Sequence, residues 1–127
     1  MFELPEVIHL ASQLHEAIAG KRIVRVNVPA GRPKFLFLLP DAPAFQKVLI
    51  DRRVEGASPR GRWIFCPLDD GRTLLFGEFG GRLLFHPVGT PVPAKRHWIA
   101  EFDDGATLTL AIQMWGFLGV LTGTEIA

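Results

Sequence analysis

The fold class this sequence predicts is mainly β (α+β): an antiparallel two-layer β-sandwich with a leading N-terminal helix and a short second helix. Three observations point there. Apolar residues recur at helical spacing at the start of the chain, in Val7, Leu10, Leu14 and Ile18, and the period falls to two from Lys21 onward. Two pairs of apolar β runs flank Asp69-Asp70-Gly71 and Asp103-Asp104-Gly105, whose residues tolerate the positive φ of a tight turn. The 13 glycines and 10 prolines suit short strands and frequent turns better than a helical bundle.

In the leading helix Pro5 occupies the first turn, where its missing N–H costs nothing, and Gly20 supplies the stop. His9 and His15 are six apart and fall on different faces, so they read as surface or partly packed residues rather than a metal pair. Ile23, Val24, Val26 and Val28 make a strand that Pro29-Ala30-Gly31 ends. Residues 34–39 read as a strand or buried apolar segment, and Asp41 caps a short helical turn carrying Phe45, Val48 and Leu49. Residues 52–57 return to an extended pattern, and Ser58-Pro59-Arg60-Gly61 reads as a turn.

The first hairpin joins residues 62–68 to residues 73–79, and the second joins residues 97–102 to residues 107–112. Between them Gly80-Gly81 breaks the apolar run, residues 82–86 read as a further strand, and residues 87–93 form a proline-rich loop. Residues 115–121 are apolar and extended. Seven or eight short strands with one leading helix give a sandwich whose helix covers a face or an edge.

A chain of 127 residues is one domain with a substantial core. Its formal net charge of +1 gives no global drive toward nucleic acid or an anionic membrane, so such binding must rest on local clusters. Two clusters exist: Arg52, Arg53, Arg60 and Arg62 within eleven residues, and Lys95-Arg96-His97. The single Cys66 lies in the apolar run Trp63-Ile64-Phe65-Cys66, which predicts a buried, inert thiol and excludes a Cys-rich zinc site within these residues. No apolar stretch approaches the about 18 residues of a membrane span, and acids stand where a signal peptide needs bases. The expectation is a soluble, cytoplasmic protein with no membrane partner.

Met1-Phe2-Glu3-Leu4-Pro5-Glu6 brings the free α-amine and two carboxylates to the start of the helix. An α-amine has an ordinary pKa of roughly 7.7–8.0, so a useful fraction is unprotonated near neutral pH. An amine beside a carboxylate makes a Schiff-base pair. An ordinary helix start, where the dipole favours acids, is the stronger reading of these residues taken alone.

The order of features carries a resemblance: Glu-Leu-Pro-Glu at positions 3–6, a helix ending at Gly20, Arg60-Gly61-Arg62-Trp63, two Asp-Gly hairpins, and Trp115-Gly116. This order is similar to the N-terminal domain of the formamidopyrimidine-DNA glycosylase and endonuclease VIII family, over nearly the whole chain. The resemblance implies a two-layered β-sandwich flanked by helices that excises oxidised bases from duplex DNA and then cuts the abasic site. It implies catalytic roles for the α-amine of Met1 and for Glu3 and Glu6. It also implies a bacterial-type, nucleoid-associated location, and a helix–two-turn–helix module and zinc finger that these 127 residues do not include. No cofactor is expected in this chain, and any zinc belongs to that C-terminal finger.

Four motif positions depart from the family. Phe2 stands where the family has the proline nucleophile that methionine removal exposes, so the amine here is a primary one displaced by a residue. Arg62 stands where the family has a hairpin lysine near the lesion; arginine binds phosphate but stays protonated and cannot shuttle protons. Gly77-Glu78-Phe79-Gly80 corresponds to the family's His-Leu-Gly-Met, with Phe79 in the wedge role. Ala111-Ile112-Gln113-Met114-Trp115-Gly116 replaces Asp-Pro-Arg-Arg-Phe-Gly and keeps only the aromatic-glycine end.

The expected DNA contacts are therefore Lys34, Arg60, Arg62, Phe79, Lys95, Arg96 and Trp115. Two readings from other classes stand beside the glycosylase. One is a non-catalytic nucleic-acid-binding module in which these cations meet phosphates; the other is a structural sandwich in which Phe79, Trp98 and Trp115 are core. For Trp98 the core reading is the stronger, because it alternates with Ala100 and Phe102 on one strand face.

Overall fold

Helix α1 (Leu4–Ile18) carries Val7, Ala11, Leu14 and Ile18 on one stripe, and all four are buried. It ends at Gly20, which adopts a left-handed φ of 83° and donates its N–H to the Val54 carbonyl at 2.7 Å. This geometry comes from a computed structural model that describes residues 4–27, 36–39, 47–77, 81–92, 98–112 and 116–121.

Nine strands follow among the described residues: β1 (Ile23–Asn27), β2 (Leu36–Leu39), β3 (Ser58–Arg60), β4 (Trp63–Pro67), β5 (Thr73–Gly77), β6 (Gly81–His86), β7 (Trp98–Phe102), β8 (Thr107–Ile112) and β9 (Gly116–Leu121). They form two sheets, in the orders β1-β7-β8-β6 and β2-β9-β5-β4-β3. Every pairing is antiparallel except β2 with β9. Residues 47–49 are helical, which is the described part of the expected short second helix; Asp41 and Phe45 lie outside the described residues.

The core lies between the sheets. Ile64, Cys66, Leu74, Phe76, Leu118 and Val120 face inward from one sheet, and Ile23, Val26, Leu83, Trp98, Ala100, Phe102, Leu108 and Leu110 from the other. Trp98 is fully buried and meets Phe76 edge-on, with ring centroids 5.7 Å apart, so it is core as its alternation predicts. In β1 the strict alternation fails, because the register against β7 slips between Ile23 and Arg25. This bulge turns both Ile23 and Val26 inward while Val24 faces out.

Both Asp-Asp-Gly sequences make the expected turns. Gly71 and Gly105 have φ of 88° and 89°, and the side chains of Asp70 and Asp104 accept the N–H groups of Arg72 and Ala106. The strand orders leave β6 and β3 at sheet edges; α1 packs against β3 and β4 and shares a groove with β6, so it covers an open edge of the sandwich. Among the described residues no helix is long and apolar enough to cross a membrane.

Candidate nucleic-acid interface

Glu6 sits in the first turn of α1, where the dipole stabilises its carboxylate, and burial of Val7, Ala11 and Leu14 turns it outward. It lines a groove of about 370 Å³ with His9, Leu10 and Gln13 from the helix and Arg82, Leu83 and Leu84 from β6. An acid and a guanidinium thus line one groove. Sequence reasoning misses Arg82 as a site residue; its signal is its place before inward-facing Leu83 on an alternating strand.

The second part of the site is the β3–β4 hairpin. Arg60 pairs with Trp63, so the loop is only Gly61 and Arg62, and Gly61 has a φ of 61°. A two-residue hairpin with positive φ at its first central position needs glycine there, which places Arg62 at the exposed tip. Ser58-Pro59-Arg60, which the sequence presents as part of a turn, is a short strand, and the turn falls two residues later. Arg60 lies over the Phe65 ring at 4.5 Å from its centroid, an aromatic seat that steadies the cation.

The helix packs against β3 and β4 of the hairpin. At the far end Gly20 bonds Val54; further back along the helix, His15 Nδ1 accepts the Ala57 N–H at 3.0 Å. From Ala57 the chain continues as β3, which packs against the helix. Close packing enforces this alignment, since a Cβ on Gly56 would stand 2.7 Å from the His15 ring.

The linear arginine cluster is split by the fold. Arg52 faces Asp69 at 3.7 Å and Asp70 at 3.9 Å, and Arg53 donates to the Gly20 carbonyl at 2.6 Å, where a cation complements the helix C-terminus. Lys21 pairs with Asp104 at the same pole, and that hydrogen bond, with the Ala106 N–H, holds the Asp104 carboxyl below its ordinary range. Arg60 and Arg62 lie at the other end of β4. Of the expected site residues, Met1, Glu3, Lys34, Phe79, Lys95, Arg96 and Trp115 lie outside the described residues, as does Phe2.

Cys66 is buried, and desolvation pushes its thiol up to about 12, the inert state its apolar run predicts. Among the described residues no group of three or more His, Cys, Asp or Glu could hold a metal, and one core thiol does not fit a zinc finger. His86 Nε2 lies 2.8 Å from Thr109 Oγ1, and burial lowers its pKa.

The profile of the formamidopyrimidine-DNA glycosylase N-terminal domain matches residues 1–113. The chain belongs to this family. It is similar to the formamidopyrimidine-DNA glycosylase of a Nocardioides species, at 37% identity over 97% of this chain and 43% of that protein. The Roseiflexus enzyme of the same name is 36% identical over 83% of this chain and 38% of its own length. The chain therefore spans less than half of these curated relatives. Among solved structures, Lactococcus lactis Fpg bound to DNA containing an abasic site superposes with a TM-score of 0.82 at 21% identity, covering 98% of this chain and 46% of that one. MutM in complex with DNA containing carbocyclic 8-oxo-G matches equally well, with a TM-score of 0.82 at 20% identity over 98% and 46% of the two chains. At these identities the superpositions establish the shared sandwich fold.

Proposed function

We propose that this domain serves a base-excision glycosylase: it binds duplex DNA carrying an oxidised base or an abasic site, and its Schiff-base step is impaired. The observation that carries the reading is the family match over residues 1–113; the motif resemblance supports Glu6 as the second acid and Arg62 as the hairpin cation. In the inherited chemistry an N-terminal amine attacks the sugar carbon that bears the base, the bond from that carbon to the base breaks and the base leaves protonated, while Glu3 manages the protons and Glu6 supports the site from the helix turn. Phe2 removes the secondary amine of proline and leaves the primary amine of Met1 one residue further out. Flipping a nucleotide costs a few kcal/mol, which Arg60, Arg62 and the other cations offset through phosphates.

Phe2 also favours a second reading, a non-catalytic module that binds DNA and performs no chemistry. One experiment separates the outcomes. The protein is titrated with duplex DNA containing an abasic site across a salt series, and a parallel sample is treated with borohydride. Salt-sensitive binding with a weak covalent adduct is the expected result. Binding with no adduct supports the non-catalytic module, and efficient trapping contradicts the impairment. Absence of salt-sensitive binding at low ionic strength removes the DNA reading altogether.

A further inference from the structure

The hairpin that carries Arg62 overhangs its sheet. Trp63 pairs with Gly77 in the last rung between β4 and β5, so the Gly61-Arg62 tip projects beyond the rung. Past that point, among the described residues, its strand partner is β3, an edge strand of three exposed residues that includes Pro59, which has no N–H to donate. Such an overhang would sway unless something pins its base.

Trp63 supplies the pin. Its indole lies directly on the backbone of Gly77: a Cβ built there would stand 2.7 Å from Trp63 Cη2, and nearer still to Cζ3 and Cε3. Gly77 is an extended-strand residue whose φ is not left-handed, so backbone freedom does not explain the glycine. The close approach of the ring does. Two residues along the same face, Phe65 seats Arg60. Arg60 thus leans on an aromatic side chain of β4, and Arg62 directly precedes the residue whose indole seats on Gly77.

We infer that Trp63 is a positioning residue: seated on Gly77, its indole sets where Arg62 meets a DNA phosphate. The inference rests on the duplex-DNA reading above. Its cause is mechanical, because displacing the indole from Gly77 releases the final rung and lets the two-residue tip rotate away from the backbone it would contact.

The test uses the salt slope of duplex binding, which reports the number of phosphates neutralised and is unchanged by partial unfolding. Each lost contact lowers the slope by about 0.9. Arg62→Ala is expected to lower it by one contact, and Gly77→Ala, which forces the ring off its seat, by the same amount. In the Arg62→Ala background Gly77→Ala should add nothing. Trp63→Leu, which keeps an apolar side chain but removes the indole, should reproduce the loss and carries the test if Gly77→Ala does not fold. A wild-type slope in folded Gly77→Ala or Trp63→Leu overturns the inference, as does a further loss when Gly77→Ala is added to Arg62→Ala. A wild-type protein with no salt-dependent binding fails at the earlier step, the DNA reading itself.

Discussion

Arg52 and Arg53 at one end of β4 and Arg60 and Arg62 at the other come from one eleven-residue stretch, yet the fold places the two pairs in different surroundings. At the first end guanidinium groups meet carboxylates and a helix C-terminus: Arg52 with Asp69 and Asp70, Arg72 with Asp70 at 3.6 Å, and Arg53 with the Gly20 carbonyl. At the second, Arg60 rests on an aromatic face and Arg62 crowns a tight turn. A cation whose charge is already matched has little left to offer a phosphate, whereas one held on an aromatic ring keeps its charge. Linear clustering alone therefore does not give these arginines one environment; the fold sets the surroundings of each.

The largest expected effect erases the contrast. Trp98→Ala empties the middle of the core and should cost about 3–5 kcal/mol, lowering the melting temperature sharply and abolishing function at both ends of β4 together. A variant that melts as wild type would show that the two sheets do not depend on this contact. The next effect separates the ends. Arg53→Ala removes the hydrogen bond to the helix terminus and should cost about 1 kcal/mol in chemical denaturation, with no change in the DNA salt slope.

Smaller effects concern titration. The folded state depresses the His86 pKa by burial, so it binds that proton less readily than the unfolded chain. Stability from His86 is therefore complete above its ordinary value of 6.5 and declines as pH falls below it; His86→Gln should flatten melting curves in that window. Asp104 is also depressed, through its Lys21 hydrogen bond, but as an acid it contributes above its ordinary 3.8 and loses the contribution as pH falls further. Asp104→Asn should produce the smallest shift of the set, present at neutral pH and gone in strong acid, because the pair is exposed.

Local chemistry makes much of the fold legible in the sequence. Two Asp-Asp-Gly turns announce the β4–β5 and β7–β8 hairpins, helical spacing announces α1, and an isolated apolar cysteine announces a core thiol. What stays hidden is set by partners far along the chain. Ser58-Pro59-Arg60 has turn chemistry, and it becomes a strand because β4 folds back on it. The bulge at Val24 arises from register against β7, and the parallel pairing of β2 with β9 joins segments some 80 residues apart. The motif offers Glu6 as a candidate, while Arg82 needs the groove to bring it opposite the helix. The seat of Trp63 on Gly77 is hidden for the same reason: each residue is ordinary until the register pairs them.

The division of labour between the two ends of β4 is tested most directly by two double variants in one duplex-DNA salt series, each first shown to be folded. Arg60→Ala with Arg62→Ala should lower the salt slope by about 1.8, two phosphate contacts, while Arg52→Ala with Arg53→Ala should leave it at the wild-type value despite lower stability. Equal slopes for the two double variants, or a loss confined to Arg52 and Arg53, would contradict the account.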